Sequence, residues 1–553
     1  MKRQETIVAA VALGVAVFTL WLYWPSTENG FLHWDDEPYI ENAAKHSTLS
    51  FETIKWAFIS TRIFYYHPLT LLSHALDCRL WGLNPAGHHA TNVVLHGANT
   101  ALVVVFTWLL LETVGLTFGE RLAVAAGVGL VFGIHPLQVE SVAWIAERKN
   151  VLCGFFFLAS LCAYVAARRE ARPPKWSWLV VALGLAAMLS KPMAVSLPVV
   201  MLVMDFYPLV RQKTLGWPRL LKEKTMLLAL AALFCGITLV TQSQIGAMAT
   251  VGGRGFGDRM LVATRGIVFY LWKLIWPAWL SPYYPLAGAV SLSNNEYVLG
   301  VACLFAVTGL CVWRWRREPA RLAAWISFLA LIIPVSGLFQ SGAQAAADRF
   351  MYLAMLPPVL LIAAGCVWAW RRLSLLGRAA LAALLACQLA FFAFRARGQI
   401  FAWRNDETLW RTVLARFPDS GFANAALAQV LLSNGQLDEG TARALRAVEV
   451  APWVAHAHTT LAFAYLVTHR YAEAEREARQ SLGQEPGHAQ TLFILACSQG
   501  RLGEFDAAYD TLSKLLALHP NYASYVAQSE DLATLREAPD YGPKLQALLE
   551  VTK

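Results

Sequence analysis

The sequence predicts an all-α protein in two parts, a bundle of membrane-spanning helices followed by a solenoid of helix pairs. Of its 553 residues, 57% are hydrophobic and only 15% are charged, whereas soluble domains carry about 25% charged residues. Apolar stretches of roughly 18–20 residues, each long enough to span a bilayer, recur up to about Phe394. The C-terminal tail is less apolar and repeats every 34 residues.

The first apolar run, from about Ile7 to Trp24, follows a short basic stub. A cleaved signal peptide is the alternative, but no A-x-A site follows, and Trp21 and Tyr23 are typical of an interfacial belt. We therefore expect an uncleaved first helix with a cytoplasmic N-terminus.

Basic clusters between the apolar runs predict the topology. Lys and Arg are concentrated on the cytoplasmic side of membrane proteins, which puts the loops around 25–88, 135–149, 243–262 and 341–349 outside. The four clusters lie at 168–175, 211–224, 314–321 and 371–378. The net charge of +9 is thus spread over these clusters and does not form the single surface stripe of a nucleic-acid-binding protein. The nine Cys show no zinc-type or redox spacing, and disulfides are not expected as a framework.

One stretch breaks the parity of the crossings. Two apolar segments, 263–280 and 297–313, lie between the outer loop at 243–262 and the inner cluster at 314–321. A chain that passes from the outer to the inner side must cross the membrane an odd number of times, so only one of these two segments can span it. The first contains Arg265, Lys273 and Pro277 among three Trp, which favours a helix lying at the membrane interface. The count is then about eleven spans, and the tail lies outside.

The tail shows the spacing of tetratricopeptide repeats. Small residues occur at predicted helix crossings, and Pro recurs at the repeat end, as in that motif. The repeated positions are Pro418, Pro452, Pro486 and Pro520; Leu427, Leu461 and Leu495; and Gly440, Ala474 and Ala508. Three repeats are predicted from about 419 to 520, after a helix at 403–416 and before a C-terminal cap. Such arrays bind peptides or partner proteins in a concave groove; a spacer or a homodimerisation module is the alternative.

The first outer loop holds three consecutive carboxylates, Asp35, Asp36 and Glu37. Crowded like charges raise at least one pKa, which suits a general base. A solvated loop or a helix N-cap is the alternative.

The helix after that loop carries a polar face. His89, Asn92, His96 and Asn99 are spaced by 3, 4 and 3 residues, which puts them on one side of the helix. Facing lipid would be costly, so this side should line the bundle interior or a wet cavity. Polar packing between helices is the alternative. Metal ligation by histidines here stays open, although no carboxylate shares their face.

Several basic residues fall on the outer side, where the positive-inside rule disfavours them. Arg148 and Lys149 lie at the membrane surface, at the depth of a lipid phosphate; snorkelling at a helix end is the alternative. Lys191, Arg254, Arg265 and Arg349 lie on the same side. An anionic ligand would explain this excess.

A series of short motifs in a fixed order resembles the transmembrane-and-tetratricopeptide O-mannosyltransferases and their bacterial relatives, within the GT-C class of glycosyltransferases. The resemblance covers nearly the whole chain. Its motifs are Trp34-Asp35-Asp36-Glu37, His67-Pro68-Leu69-Thr70, the His88–Asn99 helix, His135-Pro136 with Glu140 and Glu147-Arg148-Lys149, Leu189-Ser190-Lys191-Pro192, Trp272-Lys273-Leu274-Ile275-Trp276-Pro277, Asp348-Arg349-Phe350-Met351-Tyr352 and Trp403-Arg404-Asn405-Asp406.

This resemblance implies a GT-C-type bundle that takes a sugar from a polyprenyl-phosphate carrier on the non-cytoplasmic face. It puts the catalytic carboxylate in the first outer loop, at Asp36 or Asp35, with Asp36 favoured. It puts Arg148 near the donor phosphate, with Lys149 and Arg349 as further candidates. The expected reaction is an inverting displacement, in which one Asp takes the proton of an acceptor hydroxyl. Glu37, His89, Asn92 and His96 are expected to line the cavity.

The expected organisation is a transmembrane domain at 1–398, with its catalytic loop at 25–88, and a periplasmic tetratricopeptide domain at 399–553. The expected partners are the lipid-linked donor, membrane lipids and an acceptor protein or peptide that the repeats recruit, with no nucleic acid. No cofactor beyond the donor is expected, and dependence on a divalent metal stays open. The bacterial inner membrane is the expected location. A lipid or polysaccharide acceptor, or a non-catalytic scaffold, is the alternative function.

Overall fold

The computed structural model describes residues 2–48, 50–60, 66–169, 175–244, 255–286, 290–338 and 344–552. They form two compact units, Met1–Asn405 and Asp406–Lys553. The domain boundary expected at 398/399 falls inside a helix of the first unit that continues to Ala402. Arg172 and residues 245–254 of the outer loop expected at 243–262, which include Arg254, lie outside the described residues.

The described residues of the first unit are mainly helical and include one short antiparallel pair of strands. Its helices are α1 Lys2–Tyr23, α2 Asp36–Lys45, α3 Phe51–Ile59, α4 Pro68–Trp81, α5 Pro85–Leu110, α6 Phe118–Ile134, α7 Val139–Ala143, α8 Arg148–Arg169, α9 Lys175–Ser190, α10 Leu197–Phe206, α11 Gln212–Leu215, α12 Trp217–Gln244, α13 Phe256–Ile275, α14 Asn295–Arg314, α15 Pro319–Ile332, α16 Met351–Ala354, α17 Leu356–Arg372 and α18 Leu375–Ala402. Short 3₁₀ turns are Trp24–Glu28, Leu111–Thr113, Pro136–Gln138, Ile145–Glu147, Pro192–Ser196, Ile333–Val335 and Asp348–Phe350. The strands are β1 Tyr284–Pro285 and β2 Gln344–Ala346.

Length and apolar composition identify six described helices that could cross a membrane, or up to eight if two bent pairs each count as one span. The bends are 52° between Phe118–Ile134 and Pro136–Ala143, and 59° between Asp348–Ala354 and Leu356–Arg372. Shorter apolar helices of the same unit are Ser177–Ser190, Pro192–Phe206 and Pro319–Val335. The predicted class, a membrane helix bundle followed by a helical region, is confirmed. The count of eleven, which these shorter helices would complete, stays a prediction.

The segment expected at the interface forms α13, which is not among the helices of spanning length and composition in the described part of the chain. Trp272, Trp276 and Trp279 at and beyond its C-terminal end are exposed. Amphipathic Trp side chains favour the headgroup region of a bilayer. These features support an interfacial position for α13.

Helix α5 is central to the bundle and packs against α1, α6 and α8. Small residues allow these close approaches. A Cβ added at Gly97 would lie 2.8 Å from Leu20 of α1, and one added at Gly129 would lie 2.3 Å from Val104. Close backbone approach at small residues is how helices gain packing energy where lipid supplies no hydrophobic drive.

The chain turns sharply after α6 and passes through three short elements before α8. Pro136 cannot continue α6, because its ring fixes φ and it has no amide hydrogen to donate. His135 caps the turn, its Nδ1 accepting from the Leu137 amide at 3.2 Å. The broken path places Glu140, Trp144 and Glu147 in the interior, all nearly fully buried.

The second unit contains the predicted helix pairs. Its helices are α19 Asp406–Arg416, α20 Gly421–Ser433, α21 Leu437–Val450, α22 Ala455–Val467, α23 Tyr471–Gln484, α24 Ala489–Leu502, α25 Phe505–Leu518, α26 Ala523–Gln528, α27 Ala533–Glu537 and α28 Gly542–Thr552. The two helices of each 34-residue repeat pack against each other. Gly440, Ala474 and Ala508 are buried at equivalent positions, where a larger residue would separate the helices.

Replacing Gly440 with Ala is expected to loosen the first pair. An added Cβ would lie 2.7 Å from the Leu432 side chain, and overpacking of this kind costs about 1–3 kcal/mol. Hydrogen exchange of the Leu437–Val450 amides in the full chain should therefore speed up. Gly483→Ala is the matched control. Nothing lies within 4 Å of a Cβ there, so that helix should gain about 1 kcal/mol. Equal effects of the two changes would contradict the packing described.

Candidate active site

A cavity of about 370 Å³, here called the charged cavity, lies in the first unit. One part of its wall is charged and polar, and the other is apolar. The charged and polar residues are Asp35, His67, Glu147, Lys149, Ser190, Lys191, Thr238 and Arg349; the others are Pro192, Met193, Val195, Cys235, Leu239, Pro334, Val335 and Phe350. The charged residues come from the first outer loop, the start of α8, the α9–α10 junction and the turn before α16.

Three cations converge on Glu147, which is 1% exposed. Its carboxylate lies 3.0 Å from Lys149 Nζ, 3.3 Å from Lys191 Nζ and 3.4 Å from Arg349 Nε. Like charges this close repel strongly in a buried setting, so the shared carboxylate is what allows the three cations to remain together.

Two further residues fix the orientation of these cations. Glu140 accepts from the backbone N–H of Arg349 at 2.8 Å and pairs with its guanidinium. The Asn150 side chain accepts from Lys191 Nζ at 2.7 Å and donates to the Arg349 carbonyl at 3.3 Å. Buried side chains held in this way are preorganised for a ligand.

Asp35 faces the charged cavity and is half-buried. Burial raises the pKa of Asp35, while Lys149 and Arg349 oppose that rise and Glu147 adds to it. None of the described residues donates a hydrogen bond to this carboxylate. Its oxygens are therefore available to a substrate hydroxyl.

Asp36 is fully buried and does not line the charged cavity. Its carboxylate accepts from the backbone N–H groups of Leu32 at 2.9 Å and Ala146 at 2.7 Å. Asp36 thus ties the first outer loop to the segment before α8. Burial raises its pKa to about 7, although the two backbone hydrogen bonds work in the opposite direction.

A stack of indoles supports the loop that carries Asp35. Trp34 stacks on Trp144 at 4.9 Å between ring centroids, and Trp144 stacks on Trp403 at 5.3 Å. The Arg349 guanidinium lies 5.5 Å from the Trp144 ring centroid. Aromatic stacking and cation–π contacts of this kind add specific geometry to burial.

Arg148, expected near the donor phosphate, is directed away from the charged cavity. It is fully buried and pairs with the Asp77 carboxylate at 2.6 Å. Its other donors contact Ser73 Oγ at 2.8 Å, the His88 carbonyl at 2.8 Å and the Asn92 side chain. These contacts hold α4, α5 and α8 together. Because they occupy the donors of the Arg148 guanidinium, Arg148 is not proposed as a phosphate ligand.

The polar face of α5 packs between helices and does not line the charged cavity. His89 hydrogen-bonds the Gly30 carbonyl at 3.3 Å, and Asn92 donates to the Trp144 carbonyl at 3.1 Å. His96 hydrogen-bonds the Tyr352 hydroxyl at 2.9 Å. Glu37 is exposed and lies outside the cavity wall.

The described residues contain no group of three or more His, Cys, Asp or Glu side chains placed to hold a metal ion.

Two site residues were not assigned from the sequence. Lys191 stood out only as a basic residue on the outer side, and Glu147 only as part of a motif. Charge balance could have linked the two residues, because cations that are buried together require a carboxylate between them. Arg265, from the same outer set, instead pairs with Glu296 at an exposed position, at 2.5 Å.

Curated proteins similar to this chain include protein O-mannosyl-transferases of the TMTC group. Human TMTC4 is 27% identical over 400 residues, covering 64% of this chain and 53% of the human protein. Mouse TMTC3 is 22% identical, covering 93% of this chain and 61% of its own length. Mouse TMTC2 is 35% identical over 182 residues, which cover 32% of this chain and 20% of the mouse protein. The predicted resemblance is confirmed, and the chain spans about half the length of the first of these relatives.

Among solved structures, the oligosaccharyltransferase of Archaeoglobus fulgidus, tethered to an acceptor peptide, is 13% identical with a TM-score of 0.38, covering 71% of this chain and 55% of that one. ArnT from Cupriavidus metallidurans, bound to undecaprenyl phosphate, is 15% identical with a TM-score of 0.37. That match covers 88% of this chain and 80% of ArnT. No protein-family model matches the sequence.

Arg148→Met is expected to destabilise the first unit, because it leaves the Asp77 carboxylate buried without its cation. Breaking a buried pair in this way costs about 3–5 kcal/mol, which thermal unfolding of the purified full chain would report. Arg265→Met, which breaks an exposed pair, should cost less than about 1 kcal/mol. If Arg148→Met unfolded like the wild type but lost donor binding, the structural role assigned to Arg148 would be wrong.

Proposed function

We propose that this chain is an integral-membrane glycosyltransferase that moves a sugar from a polyprenyl-phosphate carrier to an acceptor hydroxyl. The observation that carries the proposal is the charged cavity, whose wall combines three cations and two carboxylates with an apolar side. A lipid phosphate needs this combination, since its head is anionic and its chain is apolar.

The phosphate would be held by Lys149, Lys191 and Arg349. Glu140 and Glu147 pair with these cations, and Asp35 adds a third negative charge when it is ionised as the base. The three cations are then balanced before the donor binds, so the phosphodiester would be held by their N–H donors and not by a net excess of positive charge. Guanidinium and ammonium donors are strong partners of phosphate oxygens.

Asp35 would act as the general base, in place of Asp36, which was favoured from the sequence. Asp35 faces the cavity with free carboxylate oxygens, whereas both oxygens of Asp36 already accept backbone hydrogen bonds. In the reaction Asp35 takes the proton of the acceptor hydroxyl, whose oxygen forms a bond to the anomeric carbon. The bond from that carbon to the phosphate oxygen breaks, and its electron pair leaves with the phosphate. Attack opposite the leaving group inverts the anomeric centre.

The cations act where negative charge develops. As the bond to phosphate breaks, the departing oxygen gains charge that Lys149, Lys191 and Arg349 would stabilise. Because Glu140, Glu147 and Asn150 already hold them, they need little rearrangement during the reaction.

The acceptor would be a Ser or Thr hydroxyl of an envelope protein. The relatives named for protein O-mannosyl transfer support a protein acceptor. The helix pairs of the second unit would recruit it, since such arrays present extended binding surfaces. The basic clusters support a cytoplasmic N-terminus and catalysis on the outer face of a bacterial inner membrane.

Transfer of labelled sugar from polyprenyl-phosphate donors by the purified full chain would test the assignment of the base. Asp35→Asn should lower kcat at least about 10²-fold, the usual contribution of a general base, and leave thermal stability unchanged. Asp36→Asn should reduce stability by about 1–3 kcal/mol, because an amide can accept from only one of the two backbone donors without presenting a donor to the other.

The opposite result would identify Asp36 as the base: Asp36→Asn would lose kcat at unchanged stability, and Asp35→Asn would keep it. If the wild type consumes no donor, the glycosyltransferase proposal fails and a scaffold function takes its place.

The pH profile should report the surroundings of Asp35. A base must be ionised, and burial raises the pKa of Asp35, so kcat/KM should fall as the pH drops through that raised pKa. Lys149 lowers the same pKa. Lys149→Met should therefore shift the acidic limb to higher pH, in addition to weakening catalysis. Lys45→Met, which removes an exposed cation at the end of α2, should leave the limb in place. A limb that stays fixed in Lys149→Met would contradict the assignment of Asp35.

A further inference from the structure

A second and larger cavity of about 580 Å³, here called the apolar groove, lies in the first unit. It is bounded by parts of α5, α6, α8, α10, α15 and α17 and shares no lining residue with the charged cavity. Its wall is almost entirely apolar, with residues such as Phe106, Met204, Ala324 and Leu360. Nothing in the reaction proposed above uses it.

One end of the apolar groove is basic. Arg371 and Arg372 line it there, at the C-terminal end of α17. Arg371 is engaged with Glu120, at 2.7 Å. Arg372 is exposed and lies 4.2 Å from the Trp368 ring centroid. No carboxylate among the described residues lies within ion-pair distance of Arg372, so its guanidinium can bind an external anion.

The position of the groove restricts its occupant. Water has few polar partners along such a wall, and an empty space of this size would forfeit the dispersion contacts of its lining. Hydrocarbon chains surround a membrane bundle and can fill it. The basic end lies near the clusters at 314–321 and 371–378, which the positive-inside rule puts at the cytoplasmic leaflet, where anionic lipids attract Lys and Arg.

We propose that the apolar groove binds one anionic glycerophospholipid of the cytoplasmic leaflet. Its acyl chains would lie against the wall that includes Ala324 and Ala364, and its phosphate would pair with Arg372 beside Trp368. The site is structural and separate from the donor site, so it stands or falls independently of the proposed glycosyl transfer.

Native mass spectrometry of the full chain would test this proposal. The purified protein is first stripped of lipid and then equilibrated with micelles that contain equal amounts of phosphatidylglycerol and phosphatidylcholine. The wild type should retain one phosphatidylglycerol in preference to phosphatidylcholine. Arg372→Gln should lower that preference about tenfold, as expected for loss of one charge-assisted phosphate contact. Ala324→Trp, which fills the groove, should abolish retention of either lipid.

Matched controls lie on α18, outside the groove wall. Arg378→Gln removes a neighbouring basic charge, and Ala380→Trp adds the same bulk at an exposed position; both should retain phosphatidylglycerol like the wild type. Equal retention of the two lipids by the wild type, or an Arg378→Gln effect equal to that of Arg372→Gln, would overturn the proposal. Displacement of phosphatidylglycerol by polyprenyl phosphate at equal concentration would also overturn it, because the groove would then be a binding site for the donor's polyprenyl chain. The wild-type and Arg372→Gln results decide the question even if Ala324→Trp does not fold.

Discussion

The buried carboxylate of Glu147 is the constraint on which the charged cavity depends. Lys149, Lys191 and Arg349 come from separate parts of the chain, and each lies within 3.4 Å of it. Without this carboxylate their mutual repulsion in a poorly solvated interior would drive them apart. The helix breaks that bring them together, at Pro136, Pro192 and the turn before α16, are therefore part of the site. The same arrangement places three cations beside the apolar wall of the cavity.

The architecture could be predicted from the sequence because its signals are local. Apolar runs of spanning length and the 34-residue period depend on neighbouring positions, and the structure contains both the bundle and the helix pairs. The sequence also directed attention to the first outer loop, and Asp35 of that loop lines the charged cavity. What the sequence could not give was the direction of each side chain. Asp35 and Asp36 are adjacent, yet only the folded loop shows that one faces the cavity and the other holds two backbone amides.

Arg148 and Lys149 show the same limit. They are consecutive on the chain, but a helix places neighbours about 100° apart, so one guanidinium pairs with Asp77 between helices while the ammonium reaches Glu147. The polar face of α5 was predicted correctly as a single face in the interior, but burial alone does not distinguish a packed interface from a cavity wall. Lys191 was missed as a site residue because its partners, Glu147 and Asn150, lie more than 40 residues away in sequence.

The proposed reaction requires that Lys149, Lys191 and Arg349, held together by Glu147, bind a lipid phosphate. The first measurement is therefore the affinity of the purified chain for sugar-free polyprenyl monophosphate, in the wild type and in Lys191→Gln, with Arg265→Gln as the matched loss of an outer cation. Lys191→Gln should weaken binding about tenfold, while Arg265→Gln should bind like the wild type. Equal affinity in all three proteins would contradict the proposed phosphate-binding site and the reaction that depends on it.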